Sequence, residues 1–376
     1  MNLDNIHDFL EEDDFQTQES YPSYYYEWDK ALSQGKAFPF CEMEELLDII
    51  GIYVDLNKKE KLNKTISYAL ETYLNLSEGD DEILYEIATL LEEEKRWDEL
   101  LRIMNQYKDE KIFWVDSYRV SSLLNLGMEE EAFQLFSLLK KTYAKDTPSL
   151  KSLYFEFGNS LLETSLYQAV ILVINEAIDQ LGEDEEFYWI QFDAYLALEN
   201  KKEVSRLAEK IINTSPFDGF CWFRIGTAYK ELQDFESAIN AFEHALNLNY
   251  EDKKKNLLEL SESYELNGNQ IKALETIKEF LYLYPDSYFF NLSAANLCAN
   301  MNEWQEAIKF IDNVLKVQPG MSALYLYKST YYINMGEYKK AKITLEEGIA
   351  NTNNSDHSDK ELENQLNLLN EQYPDV

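Results

Sequence analysis

The chain of 376 residues carries 70 Asp and Glu against 34 Lys and Arg, a formal net charge of −36. A charge of this sign repels phosphate backbones and anionic lipid, so direct binding to nucleic acid is not expected. Apolar residues make up 45% of the sequence, enough for a core, yet no apolar run is long enough to cross a bilayer. We therefore expect a folded protein without a membrane span.

Residues 1–42 differ from the rest of the chain in being strongly acidic and rich in Tyr, with an acidic run over 11–14 and an aromatic cluster over 21–28. This composition predicts an acidic, aromatic-containing arm that is partly flexible. Two alternatives stay open: the aromatic side chains dock on the protein, or 24–32 forms a short helix. The first residues lack the basic start and apolar stretch of a secretory signal, which predicts a cytoplasmic protein.

From Met43 onward, apolar residues recur at helical spacing in pairs of short segments separated by polar breaks. Nine such pairs start at Met43, Asp81, Phe113, Leu150, Glu185, Gly219, Lys254, Tyr288 and Ser322. The last five starts are 34 or 35 residues apart, a regularity that independent helical hairpins do not produce. The third pair has Gly127 just after its first helix, where a left-handed residue is wanted.

The pair from Gly219 to Asp252 is the best marked. Its two helices are predicted on either side of Gln233, and Asp234 is placed to cap the second helix. Gly226 and Ala238 are small, as a close crossing of two helix backbones requires, and Trp222, Tyr229 and Phe242 are predicted to be buried beside that crossing. The pair resembles a tetratricopeptide repeat, because seven signature slots hold the expected residue types: Trp222, Ile225, Gly226, Tyr229, Ala238, Phe242 and Ala245. Tyr250 departs from the family pattern, which prefers proline there.

The resemblance implies an all-α solenoid of antiparallel helix pairs in a right-handed superhelix. We expect degenerate pairs over 43–184 and well-marked repeats over 185–355. A C-terminal capping helix and tail over 356–376 would cover the open end of the stack, as repeat arrays require.

Family members bind partners in a concave groove lined by slots two, five, nine, twelve and thirteen of each repeat. In this sequence, the second and fifth slots predict six large aromatic residues in that groove: Trp114, Tyr154, Trp189, Phe220, Phe223 and Phe289. Exposed aromatic side chains are common anchors of protein partners. The alternative is that neighbouring helices or the arm bury some of them, or that the repeat start is misplaced by one residue in the degenerate half.

The same slots place more acidic than basic residues in or beside the groove. The acidic ones are Glu82, Glu92, Glu93, Glu186, Asp193, Glu231, Glu262 and Glu265. The basic ones are Lys151, Lys230 and Lys255. We therefore expect a protein or peptide partner with apolar and basic residues, and no nucleic acid.

The sequence offers little catalytic or metal-binding chemistry. Its three histidines, His7, His244 and His357, lie far apart, and no phosphate-binding loop or HExxH motif occurs. Cys41, Cys221 and Cys298 form no CxxC and indicate small buried or surface thiols. We predict a non-enzymatic interaction scaffold without cofactor or metal, a monomer or weak homo-oligomer. The alternative is a self-assembling structural protein that uses its exposed aromatic residues.

Overall fold

The computed structural model describes residues 21–74, 76, 81–108, 112–248, 250–352 and 359–374. These residues form twenty α-helices, and none of them lies in a β-strand. The chain divides between Leu166 and Tyr167 into two compact units, called unit 1 and unit 2. No helix within the described ranges is long and apolar enough to cross a membrane.

Unit 1 contains eight helices: α1 (Ser23–Gln34), α2 (Met43–Asp55), α3 (Lys59–Tyr73), α4 (Glu82–Glu93), α5 (Trp97–Met104), α6 (Phe113–Asn125), α7 (Glu129–Thr142) and α8 (Thr147–Glu163). Unit 2 contains twelve: α9 (Tyr167–Leu181), α10 (Glu185–Ala197), α11 (Lys201–Thr214), α12 (Gly219–Glu231), α13 (Phe235–Asn247), α14 (Lys253–Leu266), α15 (Gln270–Leu283), α16 (Tyr288–Asn300), α17 (Trp304–Val317), α18 (Ser322–Asn334), α19 (Tyr338–Thr352) and α20 (Asp359–Gln372).

A left-handed residue marks the turn between the two helices of every repeat. The residues with positive φ at these turns are Asn57, Lys95, Gly127, Ser165, Glu199, Gln233, Gly268, Asn302 and Gly336. From Ser165 onward they are 34 or 35 residues apart. The left-handed conformation lets the amide groups after the helix bond back to its last carbonyls, which sharpens the turn. For Gln233, the amides of Gln233 and Asp234 donate to the carbonyls of Lys230 and Tyr229.

These turns give an independent check of the predicted repeat starts. In eight of the nine repeats, the left-handed residue lies fourteen residues after the start that the sequence predicts. The exception is the fourth repeat, where Ser165 lies fifteen residues after Leu150. The structural start of that repeat is therefore Lys151. Its fourth and eighth slots then hold Tyr154 and Gly158.

Helix α1 covers the start of the first repeat. The Trp28 side chain is fully buried, its ring is stacked on Phe38 at 4.5 Å between centroids, and its Nε1 donates to Thr65 Oγ1 at 3.0 Å. Asp29 accepts from Lys61 Nζ at 2.6 Å and from the Tyr53 hydroxyl at 2.9 Å. Burial opposes the charge of Asp29, but these partners hold its pKa below the usual value. Residues 1–20 of the predicted arm lie outside the described residues.

Helix α20 covers the last repeat of unit 2. Leu362 and Leu369 are buried against Ala341 and Leu345 of α19. The Tyr373 ring stacks on Tyr338 at 3.8 Å between centroids. A helix that buries its apolar face on the last repeat and leaves its polar face outside gives a repeat array the solvated end that it needs.

Candidate partner-binding faces

The first helices of successive repeats in unit 2 are linked side chain to side chain along one face. On α12, Arg224 donates from Nη2 to Asp193 Oδ2 of α10 at 2.5 Å. Its guanidinium carbon lies 4.2 Å from the ring centroid of Trp189. Burial raises the pKa of Asp193, and Arg224 works against that rise. Trp189, predicted as a free aromatic anchor, therefore already carries a cation of its own chain on its ring.

The neighbouring carboxylates of α14 are also paired within the chain. Lys230 Nζ lies 2.5 Å from Glu259 Oε2 and 2.6 Å from Glu262 Oε2. Burial disfavours the charged ammonium, but the hydrogen bonds to the two carboxylates outweigh it and raise the pKa of Lys230. Farther along, Asn300 of α16 donates to Glu265 at 3.1 Å. Asp193, Glu262 and Glu265, which the sequence places on this face, thus have partners from neighbouring first helices.

Three predicted aromatic anchors of unit 2 differ in accessibility. Phe220 is 53% exposed, whereas Phe223 is only 6% exposed because its ring stacks on Tyr250 at 4.6 Å between centroids. Phe289 is half-buried and meets Phe290 edge-on. Tyr250, at the slot where the family prefers proline, covers Phe223 and so explains why that residue offers little surface to a partner.

The signature residues near Phe223 show a related difference. Trp222, predicted to be buried, is half-buried, with its ring stacked on His244 at 4.3 Å. Its Nε1 donates to the Pro216 carbonyl at 3.0 Å. Gly226 fits the prediction of a close crossing, since a Cβ there would lie 2.7 Å from the Phe242 ring. The sequence pattern thus predicted the close crossing correctly. It predicted a buried Trp222 and an exposed Phe223, whereas Phe223 is the more deeply buried of the two.

In unit 1, the two predicted anchors have different environments. Tyr154 is fully buried, packed edge-on against Phe136 at 5.4 Å between centroids. Its placement in the groove is wrong, because the one-residue error at Leu150 moved a signature residue into an exposed slot. Trp114 is half-buried, and its Nε1 donates to Asp81 Oδ2 at 3.0 Å.

Trp114 belongs to a cluster of three aromatic rings on α4 and α6. Its ring centroid lies 5.4 Å from that of Tyr85 and 6.1 Å from that of Tyr118. Tyr85 is 46% exposed, and the Tyr118 hydroxyl lies 3.2 Å from Thr89 Oγ1. Tyr85 occupies the fifth slot of its repeat, so the slot pattern already contained the signal for it. Tyr118 occupies the sixth slot, which the family pattern does not assign to the groove.

Three carboxylates lie close enough to Tyr118 or to one another to interact electrostatically: Glu92 of α4, and Glu156 and Glu163 of α8. Burial raises the pKa of Glu92, and the charges of Glu163 and Glu156 raise it further. Glu156 has an exposed side chain, but partial desolvation by the surrounding protein raises its pKa, and the charge of Glu163 adds to the rise. Burial and the charge of Glu92 raise the pKa of Tyr118 to about 12, although its bond to Thr89 opposes the rise. Sequence reasoning found Glu92 and missed the two carboxylates on α8.

The described part of the chain shows no group of three or more His, Cys, Asp or Glu side chains placed to hold a metal ion. Its three cysteines are buried and free. The Cys221 thiol lies 3.4 Å from Asp218 Oδ2, and burial raises its pKa to about 12, which disfavours the reactive thiolate.

Comparison with known proteins identifies the repeat. Residues 221–252 match the family model of the tetratricopeptide repeat. Among characterised proteins, superkiller protein 3 of Schizosaccharomyces pombe (strain 972 / ATCC 24843) is 26% identical over 160 residues. That alignment spans 39% of this chain and only 11% of the relative.

Two solved structures of repeat proteins are also similar. The C-terminal part of a repeat-containing protein from Cytophaga hutchinsonii aligns with 64% of this chain and 97% of its own, at 15% identity and a TM-score of 0.48. A tetratricopeptide repeat protein from Parabacteroides merdae ATCC 43184 aligns with 73% of this chain and 99% of its own, at 14% identity and a TM-score of 0.39. Residues 221–252 therefore form a tetratricopeptide repeat, and the other helix pairs, with left-handed turns 34 or 35 residues apart from Ser165 onward, have the same arrangement.

Proposed function

We propose that this protein is a non-enzymatic interaction scaffold that binds a segment of another protein on the face that the first helices of the repeats form within each unit. The repeat fold in general supports protein–protein interaction. The observation that carries the proposal for this face is its exposed aromatic surface. Phe220 is 53% exposed and Tyr85 46% exposed, although burying them would be favourable.

Affinity capture from a native lysate tests the proposal. The variant Trp114→Ala/Phe220→Ala/Phe289→Ala removes one anchor from unit 1 and two from unit 2. Phe223 and Tyr154 are left intact, because both are buried and their truncation would disturb the fold. A matched control is Phe217→Ala/Tyr282→Ala, which removes side chains that are 85% and 88% exposed outside the first-helix slots.

We expect the triple variant to lose partners that the control retains. A triple variant that melts like the wild type and still captures every partner would contradict the proposal. Light scattering over a concentration series reports on self-assembly. An oligomer that dissociates in the triple variant, with no other partner lost, would favour the self-assembling alternative.

A further inference from the structure

The rings of Tyr85, Trp114 and Tyr118 and the carboxylates of Glu92, Glu156 and Glu163 form one surface of unit 1, called the aromatic–acidic surface. It draws on the first helices of three successive repeats, α4, α6 and α8. The side chains of Tyr85, Glu156 and Glu163 are exposed. Those of Glu92, Trp114 and Tyr118 are half-buried. A partner can therefore reach both the rings and the carboxylates.

The carboxylates of this surface have no cation of their own. No Lys or Arg in the described part of the chain lies within salt-bridge distance of Glu92, Glu156 or Glu163. Apart from its own burial, the largest influences on the pKa of Glu92 are the charges of Glu163 and Glu156 and the hydrogen bond from the Tyr118 hydroxyl, which opposes the rise. Like charges held together in a partly desolvated place are unfavourable until an opposite charge joins them.

The aromatic rings indicate what kind of opposite charge fits. Electron-rich ring faces attract Lys ammonium and Arg guanidinium groups, and Trp attracts them best. Carboxylates bind the same groups through charge-assisted hydrogen bonds. The aliphatic stem of a Lys or Arg side chain adds apolar contact with the rings. Unit 2 shows the same arrangement completed within the chain, where Arg224 lies on the Trp189 ring and bonds to Asp193.

We infer that the aromatic–acidic surface binds a Lys- or Arg-containing segment of a partner protein, with the cationic group held between its rings and its three carboxylates. This inference rests on the proposed scaffold function and specifies the partner for one part of the face. It differs from the function in naming both the location, in unit 1, and the residue type that the partner must present.

A random dodecapeptide library displayed on phage tests the inference, with the full-length protein as bait. We expect the wild type to enrich peptides that carry Lys or Arg beside an aromatic or aliphatic residue. The variant Glu92→Gln/Glu156→Gln/Glu163→Gln should lose that preference. The matched control Glu129→Gln/Glu130→Gln/Glu131→Gln removes three exposed carboxylates from α7 and should keep it.

Titration of the most enriched synthetic peptide then measures the size of the effect. We expect the Kd to rise at least about tenfold in the Glu92→Gln/Glu156→Gln/Glu163→Gln variant and in Trp114→Ala, and to stay within about twofold in the control. Replacing the peptide's Lys or Arg with norleucine should cause a similar loss.

The outcomes separate the inference from the function beneath it. Enriched peptides without excess Lys or Arg would overturn the inference and leave the scaffold function standing. The same result follows if the glutamine variant retains the basic preference. A wild-type protein that enriches no peptide at all would overturn both.

Discussion

Units 1 and 2 present first-helix faces with the same kinds of residues but opposite internal pairing. In unit 2, Asp193, Glu259 and Glu262 each have a cation from a neighbouring helix. In unit 1, burial raises the pKa of Glu92 and Glu156, and the charge of Glu163 raises both further, while no Lys or Arg among the described residues lowers either. The same repeat architecture thus supports carboxylates that are paired with an internal cation and carboxylates that are not.

This difference between the two units shows that the position of a residue in the repeat does not by itself decide whether its side chain is available to a partner. Trp189 and Trp114 both occupy slots that point to the groove in this family, yet Trp189 is covered by Arg224 and Trp114 is not. An internal cation satisfies an aromatic–carboxylate pair and lowers its need for a partner. A face that lacks one carries an energetic cost in the free protein, as functional sites often do.

The largest expected difference between the units concerns the fourth slot, which holds Tyr154 in unit 1 and Trp222 in unit 2. Tyr154→Ala should lower the free energy of unfolding by about 3–5 kcal/mol, because it leaves a cavity in a closed core. Trp222→Ala should cost less, about 1–3 kcal/mol, since Trp222 is half-buried. Urea denaturation followed by circular dichroism measures both, and a costlier Trp222→Ala would reverse the assigned burial.

A second prediction concerns a substitution that removes the internal cation from two carboxylates of unit 2, so that they resemble the carboxylates of unit 1. Lys230→Met leaves Glu259 and Glu262 without their cation and should destabilise the protein by about 1–3 kcal/mol. The variant Lys230→Met/Glu259→Gln/Glu262→Gln removes the repulsion and should recover most of the loss. If the single variant unfolds at the same urea concentration as the wild type, the pairing in unit 2 contributes nothing to stability.

A smaller effect is expected at the left-handed turns, which both units share. A non-glycine residue there has a strained backbone, so Gln233→Gly in unit 2 should stabilise the protein by about 1 kcal/mol. Gly127→Ala in unit 1 should destabilise it by a similar amount. Melting temperatures test both predictions: that of Gln233→Gly should be higher than the wild-type value, and that of Gly127→Ala should be lower. Changes of equal sign would show that φ is not the property that matters at these turns.

The smallest expected effect is the pH dependence of the stability that Glu92 and Glu156 contribute in unit 1. The folded state raises the pKa of Glu92 and Glu156, so folding takes up protons as pH falls through their range. Their contribution therefore favours the folded state below the ordinary carboxylate pKa and is lost as pH rises through the raised values. The groups that face them are Glu93, Glu163 and Tyr118.

The matching measurement compares melting temperatures of the wild type and Glu92→Gln/Glu156→Gln between pH 4 and pH 7. We expect the melting temperature of the variant to rise relative to that of the wild type as pH rises, because only the wild type loses the stabilising contribution of the two protonated carboxyl groups. Opposing groups such as Glu99, whose pKa is lowered by its bonds to Arg96 and Lys59 despite burial, act equally in both proteins and cancel. A constant difference across the range would show that the carboxylates are not coupled as described.

The sequence predicted the fold of this protein well, because each repeat carries its own copy of the pattern. Gly226 and Ala238 specify a close crossing, and Asp234 caps the second helix by accepting from the Ser237 amide. Predictions at the site were less successful. The error at Leu150 placed Tyr154 on the surface, since one residue of displacement rotates a helical position by about 100°.

By itself, the sequence determined the helix pairs and eight of the nine repeat starts, since these depend on interactions within one repeat. The tertiary structure decided which first-helix side chains are accessible, because that depends on side chains from other helices. Tyr250 covers Phe223 and Arg224 covers Trp189, whereas none of the ion pairs found among the described residues includes Glu92, Glu156 or Glu163. Burial and charge pairing are properties of neighbours in space, which a pattern read along one chain does not contain.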